Sequence, residues 1–194
     1  RMHLEEALSS KMDIKAFIFD MDGLLFDSER IVQRSWEMAG DELGIPHMGE
    51  VIYHTLGMNR TGRNEYFRKY IREDFPFEEF GKLTRDNFWK IVDKEGLPLK
   101  KGTKELLAYG KAQGYKMAVA TSSSREYAMG NLIRAGIDSY FDSVVCGDMV
   151  KKAKPDPEIY QKACESLGIQ PEYCMAFEDA PGGILSAHQA GMHV

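Results

Sequence analysis

Apolar residues gather in four short runs, and each run stops at a polar side chain. Ala16 to Phe19 in "KAFIFD" stops at Asp20, "YKMAVAT" at Thr121, "SVVCGD" at Asp148 and "CMAFED" at Asp179. Runs this short and this continuously apolar suit strands that are covered on both faces. Interleaved with them, Thr103 to Gln113, Glu126 to Ala135, Pro157 to Leu167 and Ile184 to Ala190 carry apolar residues at helical spacing. Glycines at 114, 136, 168 and 191 stand at their ends. Strand alternating with helix predicts an α/β architecture with a parallel sheet, in which "KAFIFD" is the first strand.

A different pattern fills the stretch after the first run. "RIVQRSWEMAGDELG", "RTGRNEYFRKYIRED" and "FEEFGKLTRDNFWKIVDKEG" repeat aromatic and aliphatic residues at helical intervals and show no strand-like alternation. The chain therefore divides into a first core part (1–28), a helical insertion (29–98) and a second core part (99–194), with Pro98 and Gly102 leading back to the sheet. Residues 1 to 13 carry at most a short surface helix. Met192 to Val194 in "AGMHV" reads as the start of another strand.

Composition narrows the class. With 194 residues, 43% of them hydrophobic and 28% charged, the chain can bury a core and a sizeable insertion. No apolar run approaches the roughly 20 residues that cross a bilayer, and no signal-peptide pattern is present, so the reading is a cytoplasmic protein without a membrane role. Cys146, Cys164 and Cys174 lack metal-site or disulfide-framework spacing and read as free thiols. A net charge of -5 with dispersed Lys and Arg argues against a nucleic-acid surface. The expected partner is a small molecule; the oligomeric state stays open, leaning to a monomer.

The polar stops carry the candidate chemistry. Asp20, Thr121 and the pair Glu178 and Asp179 fall at the C-terminal ends of predicted strands, where open α/β sheets hold their ligands. Taken singly, each could be a helix N-cap; together they converge on one place. Lys154 in "KKAKPDPEIY" lies in a loop after the "SVVCGD" run, restricted by Pro155. Asp20 and Asp179 offer hard oxygen ligands suited to Mg²⁺, and Glu178 could orient the ion's waters. Asp20 is also placed to attack phosphorus as a nucleophile. Asp22 could then protonate the leaving oxygen and later activate water, for which its pKa must be raised by neighbouring carboxylates. Gly23 would free the backbone to expose amides to a phosphoryl group. Two carboxylates about 4 Å apart repel by about 1 to 4 kcal/mol, so three of them call for a cation beyond Lys154.

"DMDG" after an apolar strand, Thr121 after "AVA", Lys154 in "KPDP", and "FEDAPGG" resemble, in order and spacing, the four motifs of the haloacid dehalogenase superfamily. The insertion after the first motif is similar to that superfamily's helical cap, as in β-phosphoglucomutases and small-molecule phosphatases. The resemblance implies a Rossmann-like core with Asp20 as nucleophile and Asp22 as acid/base. It also implies Thr121 and Lys154 on the phosphoryl group, and Mg²⁺ held by Asp20, the Asp22 carbonyl and Asp179. Ser122 would offer its backbone amide to phosphate, Arg125 would assist or simply begin a helix, and Ser123 would cap. In "LGMNRTGRN", Gly57 to Arg60 resembles the stretch whose arginine grips substrate in the mutases, making Arg60 the candidate, with Arg63 and Arg85 behind it.

Hinges are expected near Asp27 to Glu29 and Leu97 to Lys101. Relatives continue through a further strand and helix, which are expected to be missing here. Asp22 argues against dehalogenase and phosphonate-cleaving chemistry. The expected function is thus a Mg²⁺-dependent phosphatase of a small phosphorylated metabolite, a sugar phosphate, acting through an aspartyl phosphate. A β-phosphoglucomutase-like mutase is the alternative, weakened because Val32 stands where such mutases carry a histidine. A receiver-like signalling protein or a non-catalytic phosphometabolite binder is the alternative of another class.

Overall fold

The computed structural model describes residues 13–194 apart from 56, 57 and 59. The short helix expected within residues 1 to 13, and Gly57 and Asn59 of the Gly57 to Arg60 stretch, lie outside the described residues. By internal contacts the chain forms two compact units, Ser28–Leu97 and the remainder on either side of it.

In the larger unit, β1 (Ala16–Phe19), β2 (Lys116–Ala120), β3 (Ser143–Val145) and β4 (Cys174–Phe177) form a parallel sheet in the order β3-β2-β1-β4. All four residues of β1 are buried, as a central strand covered on both faces requires. Alternate residues divide the work between those faces. Ala16, Ile18, Ala118, Ala120 and Ala176 face a core that includes Ile159, Tyr160, Ala163 and Leu167; the small side chains leave room for a helix to lie close to the sheet. On the other face Phe17 meets Tyr115 at 4.7 Å and Phe177 at 5.1 Å, and Phe19 stacks on Phe177 at 4.9 Å. Each fully buried phenylalanine contributes about 1.5–3 kcal/mol, so this face anchors the sheet by bulk.

The inserted unit is built from α1 (Ser28–Glu42), α2 (Met48–Thr55), α3 (Arg60–Tyr70) and α4 (Phe77–Glu95). The sheet unit adds α5 (Thr103–Ala112), α6 (Arg125–Arg134), α7 (Glu158–Leu167) and α8 (Pro181–Gln189). In the inserted unit α1 packs on α2 and α4 around Trp36, Met48, Phe67, Phe75 and Phe80. Val32 packs against this same core. The chain leaves and re-enters the sheet unit side by side: Asp27 N donates to Pro98 O (2.8 Å), Lys100 N donates to Leu25 O (2.9 Å), and Phe26 bridges Leu99 in antiparallel fashion.

Two elements differ from the sequence reading. The third strand ends at Val145, and Asp148 lies in a 3-10 turn over Gly147–Met149 instead of ending a strand. A Cβ on Gly147 would stand 2.1 Å from the Ser122 carbonyl oxygen, so the chain turns here against the neighbouring loop. The last helix starts at Pro181, three residues before the apolar periodicity begins, because proline at the first helical position has no amide that needs a partner. At the far edge, His193 forms a parallel bridge with Met175, with Ala176 N donating to His193 O at 2.7 Å. Among the described residues no helix is long and apolar enough to cross a membrane.

Candidate active site

Strand register brings the polar stops together. Phe19 is paired with both Val119 and Phe177, so one step further along the strands Asp20 is level with Ala120 and Glu178. Asp20 N donates to Phe177 O (2.9 Å) and Thr121 N to Val145 O (3.0 Å), which holds the strand ends side by side.

Lys154 ties this rim into one cluster. Its Nζ donates to Asp20 Oδ1 (3.1 Å), to Glu178 Oε1 (2.5 Å) and to the carbonyl of Ala120 (3.1 Å). The three side chains are largely withdrawn from water, at 10% exposure for Lys154, 14% for Asp20 and 1% for Glu178. Tyr160 donates its hydroxyl to the same Glu178 oxygen, and the Lys154 ammonium lies 5.2 Å from the tyrosine ring centre. Gly183 closes the other side, since a Cβ there would fall 2.1 Å from a Glu178 oxygen. Carboxylate oxygens of Asp20, Glu178 and Asp179 lie within 4.8 Å of one another. Burial pushes the Asp20 carboxyl up to about 7; the Lys154 charge opposes this, while the Glu178 charge and a hydrogen bond with Asp179 add to it. Such a set of crowded hard oxygen donors fits a small divalent cation.

Asp22 stands apart from that cluster. Its Oδ2 accepts from Ser123 Oγ (2.9 Å) and its Oδ1 from the Tyr127 hydroxyl (3.0 Å). Burial, then the Asp22 charge and this hydrogen bond, hold the Tyr127 phenol well above its usual range, so it remains a donor. Ser123 therefore does not cap the helix as expected. Ser124 does, its Oγ accepting from Tyr127 N at 3.3 Å. Thr121 is 1% exposed, and its Oγ1 accepts from Ser123 N (3.1 Å), folding the turn that aims Ser123 at Asp22.

Gly23 has the left-handed backbone expected of it, with φ of +81°, but its amide donates to Phe26 O (3.0 Å) and is not turned outward for a phosphoryl group. What the glycine provides is room: a Cβ would stand 2.2 Å from Asp179 Oδ2. Ser122 is exposed in the same turn that holds Thr121. Arg125 opens α6, its amide donating to Asp148 Oδ2 (3.1 Å), so its place in the fold is a helix start.

In the inserted unit Arg60, Arg63 and Arg85 line one cavity of about 340 Å³ with Trp36, Asn64 and Thr84. The Arg63 guanidinium lies 5.7 Å from the Trp36 ring centre, and burial together with the Arg60 charge lowers its pKa. Sequence reasoning named all three arginines but missed Tyr160, Tyr127 and the role of Ser123. The available signal was a tyrosine on a buried helix face close to strand ends, since a buried hydroxyl needs a partner.

A family model described as haloacid dehalogenase-like hydrolase matches residues 14–191. The phosphorylated carbohydrates phosphatase of Thermotoga maritima is 32% identical, over 92% of this chain and 82% of that one. Hexitol phosphatase A of Escherichia coli is 32% identical, over 94% and 82%. Among solved structures, a Thermotoga maritima protein provisionally named a beta-phosphoglucomutase superposes with a TM-score of 0.79 at 31% identity, covering 92% of this chain and 82% of that chain. Matched along nearly its whole length, with its acids and lysine gathered at one end of a parallel sheet, this chain belongs to the haloacid dehalogenase-like hydrolases.

Proposed function

We propose that the chain is a Mg²⁺-dependent phosphatase acting on a small phosphorylated sugar or polyol through a phosphorylated Asp20. The observation that carries this reading is the rim cluster itself: a carboxylate tethered by Lys154 beside Glu178 and Asp179, with a second aspartate two residues on. The names of the Thermotoga and Escherichia relatives support the substrate class.

In the proposed mechanism the Asp20 carboxylate attacks phosphorus while Asp22 gives a proton to the leaving sugar oxygen. Asp22, now a carboxylate, takes a proton from water, which attacks the phosphoryl group and frees Asp20 and inorganic phosphate. Lys154 offsets the phosphoryl charge, and the Thr121 hydroxyl and Ser122 amide donate hydrogen bonds to it. Asp20, Asp179 and the Asp22 carbonyl would hold Mg²⁺, with Glu178 orienting its waters, and the ion supplies positive charge that offsets the carboxylates and the phosphate dianion. Arg60, with Arg63 and Arg85 beside it, is the candidate for substrate recognition in the inserted unit.

The test is phosphate release from a panel of sugar, polyol and nucleotide phosphates, with Mg²⁺ and with chelator. Turnover of sugar or polyol phosphates that chelator abolishes is expected; chelator-resistant turnover, or none on any substrate, overturns the reading. The structural relative's provisional name keeps a mutase as the second reading. Conversion of β-glucose 1-phosphate to glucose 6-phosphate faster than hydrolysis of either would establish it.

Gly23→Ala probes Asp179. The left-handed backbone makes a side chain there cost about 1–2 kcal/mol, and the added Cβ displaces the Asp179 carboxylate. The variant is expected to need more Mg²⁺ for half-maximal turnover; an unchanged requirement would detach Asp179 from the ion.

A further inference from the structure

Asp22 follows a buried strand on a turn whose backbone is well fixed: the amides of Leu24, Leu25 and Phe26 all donate to the Met21 carbonyl. Nothing in that turn fixes the carboxylate itself, whose two side-chain torsions would otherwise sample several orientations. Both restraints come from about a hundred residues away. Ser123 supplies a hydroxyl to one oxygen and Tyr127 to the other. Each is placed by its own local device: Ser123 by the turn closed on Thr121 Oγ1, Tyr127 by the first helical turn that Ser124 caps.

We propose that Tyr127, together with Ser123, is a positioning residue that fixes the orientation of the Asp22 carboxylate toward the leaving oxygen. The inference rests on the acid/base role of Asp22 proposed above. A carboxylate has about four lone-pair positions; one donor on each oxygen removes rotation yet leaves a position on each for the reacting proton. The group is thus presented in one pose, and misplacement of a reacting group by about 1 Å can cost about 10²-fold in rate.

The experiment is kcat/KM across phosphate monoesters of graded leaving-group acidity, from nitrophenyl to alkyl, for the full chain with Mg²⁺ and for Tyr127→Phe, Ser123→Ala and Asp22→Asn. This parameter runs only to the first irreversible step, transfer to Asp20, and so isolates protonation of the leaving oxygen. A nitrophenolate departs without that proton, whereas a sugar alkoxide does not. Tyr127→Phe keeps the ring and loses only the hydroxyl. It is expected to lower alkyl esters by about 10-fold and nitrophenyl esters by about twofold or less, a part of the roughly 10²–10⁴-fold that general-acid catalysis supplies. Ser123→Ala should steepen the same dependence.

A purely structural role would lower all esters in parallel. A parallel loss or no change in Tyr127→Phe, while Asp22→Asn steepens the dependence, overturns the positioning role and leaves the acid role standing. If Asp22→Asn itself leaves the dependence unchanged, the acid role fails and the positioning role falls with it.

Discussion

Asp20→Asn is expected to abolish turnover while making the metal-free chain more stable at pH 8. Loss of activity follows from the proposed nucleophilic role. An amide cannot form the phosphoryl intermediate, and removal of a nucleophile costs about 10⁴-fold or more. The stability gain follows from burial. With its carboxyl raised from 3.8 to about 7, native Asp20 keeps a proton that the unfolded chain has already released across that interval. The native state binds more protons there, so this group's contribution falls as pH rises from about 4 to about 7, and above 7 the buried charge is fully unfavourable. Asparagine carries no such charge; it can still accept from Lys154 and donate to Asp179. Thermal unfolding in chelator at pH 5 and pH 8 reads the effect. A gain larger at pH 8 than at pH 5 is expected, and a variant less stable than the parent at pH 8 would contradict the electrostatic account.

Lys154→Met should damage stability and turnover together. The ammonium holds Asp20, Glu178 and the Ala120 carbonyl at once, and Glu178 is only 1% exposed. Removing one partner of a buried ion pair costs about 3–5 kcal/mol, because the remaining charge stays buried without compensation. Tyr160 would be left donating alone to Glu178. Since Lys154 is what lowers the Asp20 pKa, its loss should raise that pKa further and make the destabilisation larger at pH 8 than at pH 5. Denaturant unfolding at both pH values, with kcat on the best substrate, measures the result. A loss below about 1 kcal/mol with unchanged kcat would show that the lysine is a bystander.

The strand-end groups were readable because a fully apolar run that stops abruptly at Asp20, Thr121 or Glu178 has only one direction in which to place the charge. Parallel register then brings those groups level without further information. Tyr160 and Tyr127 were not readable in that way. Helical periodicity scores a tyrosine by its ring, and both rings lie on helix faces that pack inward. What their hydroxyls meet lies far off in the chain: Tyr160 reaches Glu178, and Tyr127 reaches Asp22. Ser123 was obscured by its neighbours, since in "TSSSRE" any of the serines could cap α6, and only the turn on Thr121 decides for Ser124. The left-handed conformation of Gly23 was legible, but its amide partner Phe26 and its neighbour Asp179 were not, because both are set by tertiary packing.

The paired crossings at Asp27 with Pro98 and Leu25 with Lys100 make the whole inserted unit, topologically, the tip of a hairpin. Both ends of the insertion are held in one pair of adjacent backbone segments of the sheet unit. Closing a longer loop at such a point costs only about 0.6 kcal/mol for each doubling of its length. Inserts of quite different size can therefore be exchanged at this junction with little loop-closure cost to the sheet unit, while the rim of acids stays as it is.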